Sequence, residues 1–272
     1  MYKLLLVSDQ EEVLNAFAAI NNWELLGFKQ PHIRHDFEGA KDSLAKHHAD
    51  GISIAVDPEE EEKILAYLQE YFPNVSIFEA GRTEQEILRY LSELKILLNR
   101  INADYYNGGY QKSDNILQLC RHEFFRKVVN GKVMSSEDLH RNMRLLRSRM
   151  DADRPCLVIE IEQSAPNDKL EGRWHYGQDQ LENALRTSFS KDLNGIHILP
   201  TIHPDGRILV LTCPVHGVDT DMTVDTMTAM LTAYAVDSIT HMKEYFGLDL
   251  HITGIRVFPA LTALCGNMEE EI

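Results

Sequence analysis

The first eighty or so residues alternate between two rhythms. Short apolar runs of strand length are followed by stretches in which apolar residues recur every three or four positions, the spacing of one helix face. Residues 3–7 (KLLLV) predict a strand, and 11–20 a helix with Val13, Leu14, Phe17 and Ile20 on one side. A weak strand around Ile33, a helix over 39–46, a strand over 52–56 (ISIAV), a helix over 60–71 and a strand over 75–78 continue the series. Strands separated by helices line up in parallel with helices on both faces, so this part reads as a doubly wound α/β sheet. No fifth strand follows, because from Thr83 the chain enters one long helical pattern.

In that pattern Ile87, Leu91, Leu94, Leu98, Ile101 and Tyr105 are spaced 4, 3, 4, 3 and 4 apart, a heptad seam. Two uses fit it: an amphipathic helix lying on its own domain, or a helix that pairs with a second copy. Ile87, Leu91, Leu94, Leu98 and Ile101 are therefore a candidate homodimer seam. Paired glycines in NGGYQKS (107–113) break the pattern and mark a domain boundary. A further helix carries Leu117, Cys120, Phe124 and Val128 on one face and ends at Asn130-Gly131. The next opens at Ser135, Ser136, Glu137 and Asp138, with Leu139, Met143, Leu146 and Met150 on one face. Arg141, Arg144, Arg147 and Arg149 have no aromatic residues interleaved, so they read as solvated partners for the chain's acids.

Beyond Arg154-Pro155 the strand rhythm returns. It predicts a strand over 156–162, a helix over 178–190, strands over 196–202 and 207–213 joined by HPDG, a helix over 222–246 and a strand over 249–257. That βαββαβ order is a ferredoxin-like arrangement. The expected division is 1–82, a helical connector over 83–153, and 154–272.

A length of 272 suits two small domains. The net charge of -15 repels phosphate backbones, so no direct nucleic-acid contact is expected from this chain. No apolar run approaches the ~20 residues needed to span a bilayer, and the start turns polar at Ser8, too early for a signal-peptide core. No membrane association and a cytoplasmic location are expected. Cys120, Cys156, Cys213 and Cys265 lie dozens of residues apart with neither C-x-x-C pairing nor nearby histidines, so they read as reduced core thiols. Neither a metal nor a cofactor is expected.

In a parallel sheet, ligands bind outside the carboxyl ends of the strands, here Ser8-Asp9, Ala55-Val56-Asp57 and Ala80-Gly81. With these positions and NNWELLGF (21–28), residues 1–82 resemble the flavodoxin-like receiver domain of two-component response regulators, in particular receivers of AraC-type regulators. The resemblance implies an acidic pair after strand one to hold Mg²⁺, a phosphoacceptor Asp after strand three, Ser or Thr after strand four and Lys after strand five. This chain supplies Ser8 and Asp9 for the pair, Ala55 for the acceptor and Ala80 for the hydroxyl residue, and it has no strand-end Lys. The resemblance therefore implies an inert, truncated receiver. Asp9 and Asp57 remain as a possible residual acidic pocket. Asp57 fits either an acceptor or the opening of the helix that follows it, and Asp9 either a metal ligand or the cap of a capping box with Glu12.

LVIEIE (157–162), YGQDQLENAL (176–185) and LHITGIRV (250–257) resemble the GGDEF domain of diguanylate cyclases over about 155–262. The resemblance implies a Gly-Gly-Asp-Glu-Phe hairpin whose glycines admit GTP and whose carboxylate binds metal. Here the hairpin is IHPDGRIL (202–209): Asp205-Gly206 suits the turn, the paired glycines are missing, and Glu160 or Glu162 stands for the strand carboxylate. Degenerate domains of this kind occur between the receiver and the helix-turn-helix of AraC-type regulators, and residues 120–146 resemble the helical lead-in found there. The sequence ends at CGNMEEEI without a helix-turn-helix, so DNA contact is expected only through a missing one.

The expected function is a non-catalytic signalling protein, not an enzyme: the sensory and dimerising part of a response-regulator-type transcription regulator, with a partner signalling protein possible. One alternative is a small-molecule or nucleotide sensor, with His197, His203 and His216 as candidate pocket residues. The other is a residual phosphoacceptor or cyclase relying on Asp57 or Glu160.

Overall fold

The computed structural model describes residues 1–106, 113–133, 135–163, 178–189, 192–218 and 222–266. Two compact units result, Met1–Arg121 with Arg141–Ser148, and His122–His140 with Arg149–Ile272. The glycine break at 107–112 and the GGDEF-like helix start at 176–177 lie outside the described residues.

In the first unit β1 (Leu4–Ser8), β2 (His32–Arg34), β3 (Gly51–Ala55) and β4 (Ser76–Phe78) form a parallel sheet in the order β2-β1-β3-β4. The helices are α1 (Glu11–Ala18), α2 (Trp23–Leu26), α3 (Phe37–Lys46), α4 (Pro58–Tyr71) and α5 (Glu84–Tyr106). Local chemistry fixes their starts. Asp36 accepts the Gly39 N–H at 2.7 Å to cap α3. Asp57 accepts the Glu59 and Glu60 N–H groups at 3.0 and 3.1 Å to cap α4, with Pro58 at its first position and three acids in its first turn.

Period-two alternation sorts the strand side chains. Leu5, Val7, Ile52, Ile54 and Ile77 bury against Ala40 and Leu44 of α3 and Ile64 and Leu68 of α4. On the opposite side α5 approaches closely: a Cβ placed on Gly51 would lie 2.8 Å from Leu94 Cδ2, so a side chain at this strand start would force Leu94 to shift.

Two further helices follow, α6 (Ser113–Val129) and α7 (Ser136–Leu145). α6 ends at Gly131 (φ 63°), with the Gly131 N–H on Val128 O at 3.0 Å and the Lys132 N–H on Lys127 O at 2.9 Å. The same motif stops α7 earlier than its periodicity predicts. Ser148 N–H bonds Met143 O at 2.8 Å and Arg147 N–H bonds Arg144 O at 3.1 Å, with Arg147 in the left-handed region (φ 55°). Met150 consequently leaves the helix and bridges Val215 instead.

The arginines of this stretch meet acids, with one departure from the expectation. Arg141 lies 3.1 Å from Glu93, Arg144 pairs with Glu61 and Glu79, and Arg149 lies 3.9 Å from Asp192. Arg147 is buried rather than solvated, its Nε 3.4 Å from Pro73 O. Burial, reinforced by Arg121 and Arg144, pushes its pKa down to about 10.

The second unit is built from β5 (Cys156–Gln163), α8 (Gln178–Ser188), β6 (Asp192–Leu193), β7 (Ile196–Ile202), β8 (Ile208–Pro214), α9 (Val224–Phe246), β9 (Leu250–Phe258) and a 3₁₀ turn at Leu261–Leu264. Its strands pair antiparallel in the order β6-β7-β8-β5-β9. The two-residue β6 was not predicted from periodicity, being too short to show one. Leu157, Ile159, Ile161, Ile198, Ile208 and Val210 pack one face of the sheet against Leu181 and Leu185 of α8 and Met227, Leu231 and Met242 of α9. On the opposite face Val158, Leu199, Leu209 and Leu211 are buried too. A β-bulge follows Glu160, where the register passes from Glu160↔Gly254 to Ile161↔Ile252.

The chain is thus a mixed α/β protein with one parallel and one antiparallel sheet. Among the described residues no helix is long and apolar enough to cross a membrane, and all four cysteines are free thiols.

Candidate functional site

The carboxyl edge of the parallel sheet brings together the residues expected there, and their bonds are committed to structure. Ser8 is fully buried; its Oγ accepts the Gln10 N–H at 3.1 Å and its carbonyl meets His35 Nδ1 at 2.8 Å. Ala55 pairs with Ser8 at the end of β3, and Ala80 stands two residues beyond β4, both half-buried methyl groups. Asp57 is the α4 cap, its side-chain Oδ1 taken by two amides. Asp9 is exposed, and the α1 cap is Gln10 without a side-chain cap bond, so the expected capping box of Asp9 and Glu12 does not form.

The other acids near this edge are engaged as well. Glu60 bonds Lys63 at 2.7 Å and the Phe37 N–H at 2.8 Å, contacts that hold its carboxyl below the usual range, and Glu79 pairs with Arg144 at 3.5 Å. The Mg²⁺ that a working receiver needs does not fit these residues. Among the described residues no three His, Cys, Asp or Glu side chains converge to hold a metal ion.

On α5, Ile87, Leu91, Leu94 and Leu98 are buried within the chain and Ile101 is half-buried. The unit's own sheet covers Leu94 at Gly51.

In the antiparallel sheet the charged groups gather at the β7–β8 hairpin. The His203 N–H bonds Arg207 O at 2.8 Å, and Gly206 (φ 95°) makes the turn. Asp205 accepts the Arg207 backbone N–H at 3.0 Å and its Nε at 2.8 Å, and lies 2.7 Å from His203 Nδ1. Burial raises the Asp205 pKa, and the Arg207 amide, His203 and the Arg207 guanidinium outweigh it, leaving the carboxyl below its usual range. Its bond to Asp205 in turn raises the pKa of Arg207.

Glu160, the strand carboxylate, sits between two guanidiniums. Arg207 Nη1 is 3.3 Å from Oε2, and Arg256 Nε is 2.7 Å from Oε1. The Arg256 N–H is not aimed at that oxygen, so the second contact is an ion pair without a hydrogen bond. Glu160 is 17% exposed, against 36% for Arg207 and 40% for Arg256, so the anion lies under its two cations. Arg256 also lies over the Phe258 ring, 5.6 Å from its centroid. Neither arginine was singled out from sequence. The available signal was register: Arg207 follows the turn and Arg256 alternates onto the Glu160 face.

His197, His203 and His216 do not converge; each faces its own carboxylate, Asp192, Asp205 and Asp151. A different histidine is buried. His122 meets Pro200 O through Nε2 at 2.6 Å, which requires that nitrogen to carry the proton, and its Nδ1 is 3.9 Å from Glu182. Glu182 also pairs with Arg126 and Arg186. Burial, then Arg186, pushes the His122 pKa down to about 4.

No known family model matches this chain. No curated protein matches it either. Among solved structures it is similar to PelD 156-455 from Pseudomonas aeruginosa PA14 in apo form, at 15% identity over 46% of this chain and 40% of that one, with a TM-score of 0.23. It is also similar to PelD 158-CT from Pseudomonas aeruginosa PAO1, at 15% identity over 49% and 41%, with a TM-score of 0.24. The matched region spans less than half of each of those chains. Superpositions this loose assign neither fold nor activity to this chain.

Proposed function

We propose that this chain is a non-catalytic signal-transduction protein whose second unit senses a nucleotide or a related phosphorylated small molecule without turning it over. The observation that carries this reading is Glu160 held between Arg207 and Arg256. A carboxylate neutralised by two guanidiniums is a poor Mg²⁺ ligand, and without the metal a cyclase has nothing to polarise the phosphates. Guanidinium forks at 36% and 40% exposure can still exchange a carboxylate for a phosphate, which matches their geometry.

The domain reading that goes with this is an inert flavodoxin-like receiver over 1–82, a connector over 83–153 and a degenerate ferredoxin-like domain of GGDEF type over 154–272. The strand orders β2-β1-β3-β4 and β7-β8-β5-β9 support it, as each is the order those folds use. Ala55 and Ala80 at the parallel edge favour a second reading within the same class, the sensory part of a response-regulator-type transcription regulator that works as a homodimer. Free buried thiols support a reducing, cytoplasmic setting.

Thermal unfolding of the full chain against GTP, cyclic dinucleotides and Mg²⁺ with acetyl phosphate tests both parts. The expected result is a saturable rise in Tm with a nucleotide, no nucleotide product and no phosphorylated protein. Turnover of GTP, or a phosphoprotein that disappears in Asp57→Asn, contradicts the reading.

A further inference from the structure

We infer that the amino end of the parallel sheet holds a second site, for a small tetrahedral dianion of the size of inorganic phosphate; it is independent of the hairpin in the second unit. A cavity of about 120 Å³ opens between the start of β1, the entry to β2 and the end of α3. That volume accommodates a few waters or one such anion with its remaining hydration. Its floor is apolar, from the buried Leu4, Leu44 and Ala49.

The rim carries two ammonium groups and two imidazoles. Lys3, Lys29, His32 and His47 line it, in a chain whose net charge is -15. Among the described residues neither Lys3 nor Lys29 has a carboxylate within ion-pair distance. The His32 and His47 rings meet edge to face with centroids 5.0 Å apart. Asp50, the acid beside this group, is engaged: its Oδ2 accepts the Lys3 backbone N–H at 2.7 Å and its Oδ1 lies 2.9 Å from His48 Nε2. The wall adds the buried Ser43, a hydroxyl donor.

The end of α3 explains only part of this charge. A helix C-terminus carries partial negative charge and attracts cations, which accounts for Lys46 and His47 at its last turn and cap. Lys46 is taken by Asp42 at 2.6 Å. Lys3 and Lys29 belong to the strand side, away from that helix's sequence, and the dipole does not call for them. A dianion in the concavity would meet two ammonium side chains that no carboxylate among the described residues already neutralises. A site made of ammonium and imidazole donors, without a backbone nest, binds such an ion in the millimolar range.

The test is a ¹H–¹⁵N NMR titration of the full chain with inorganic phosphate at constant ionic strength. It uses the native protein, the Lys3→Ala/Lys29→Ala double variant and Arg207→Ala. Both lysines are exposed and the Lys3 backbone bond to Asp50 survives substitution, so the double variant keeps its fold; far-ultraviolet circular dichroism checks this. The expected result is saturable shifts at the amides of Lys3, Lys29, His32 and Ser43, a dissociation constant raised about tenfold or more in the double variant, and the same response at those four amides in Arg207→Ala. A native protein whose shifts are scattered and do not saturate overturns the proposal, as do shifts confined to Arg207 and Arg256 or an undiminished response in the double variant. Glycerol phosphate in place of inorganic phosphate then tells whether the site takes the free ion alone or a phosphomonoester as well.

Discussion

The two sheet edges differ in the groups they present. At the parallel edge Ala55 and Ala80 present methyl groups, and Asp57 is an α4 cap. At the antiparallel hairpin the charges are present and cancel one another, with Glu160 between Arg207 and Arg256 and Asp205 on Arg207. An edge of methyl groups can only pack, whereas an edge of mutually neutralised charges remains able to exchange partners. On this account the first unit supports and the second senses.

The sharpest way to break the supporting half is through α5. Leu94→Ala removes a fully buried side chain packed at Gly51 and is expected to cost about 2–5 kcal/mol of stability, read as a fall in the denaturation midpoint. If α5 instead served a dimer through this seam, the variant would dissociate while keeping its unfolding midpoint at low protein concentration.

The buried network of the second unit has a pH signature. His122 has a folded pKa near 4 against an ordinary 6.5, so the folded state refuses a proton that the unfolded chain accepts. Above 6.5 both states are neutral and stability is full. As pH falls from 6.5 to 4 stability drains away, by roughly 3 kcal/mol in all. His122→Gln keeps a donor for Pro200 O and is expected to flatten that part of the stability curve; an unchanged slope places the acid sensitivity elsewhere.

At the parallel edge Asp57→Ala is expected to cost about 1 kcal/mol through loss of the α4 cap, while Asp57→Asn, which still caps, stays within a few tenths. Equal losses in both variants contradict the capping role. At the hairpin Glu160→Gln is expected to change stability by no more than about 1 kcal/mol, since its partners are more than a third exposed. Because the native carboxylate competes with a ligand phosphate for the two arginines, the same variant should bind a nucleotide more tightly. Weaker binding would show that Glu160 is itself a ligand contact.

Most strands and helices were legible because each carries its period: ISIAV lies within one residue of β3, and the heptad seam of α5 and the Asn130-Gly131 stop fall where the structure has them, whereas the short α2 and β6 carry no period to read. The caps divide instructively. Asp57-Pro58 precedes an acidic turn and does cap, whereas Asp9 is displaced by one residue because Gln10 takes the cap position. The premature end of α7 was hidden, since Arg147 adopts a left-handed conformation that only glycine or asparagine usually announces. The charged cluster was least legible. Glu160, Arg207 and Arg256 are far apart in sequence and meet only through the β5–β8 and β5–β9 registers, including a bulge that alternation does not reveal.

The central claim is that the second unit binds without reacting, and titration calorimetry of the full chain with GTP and with a cyclic dinucleotide, followed by chromatography of the recovered nucleotide, tests it most directly. The account predicts saturable binding that falls at least about tenfold in Arg207→Gln/Arg256→Gln, with the nucleotide returned intact. No heat with either nucleotide, binding indifferent to both arginines, or a converted nucleotide would contradict it.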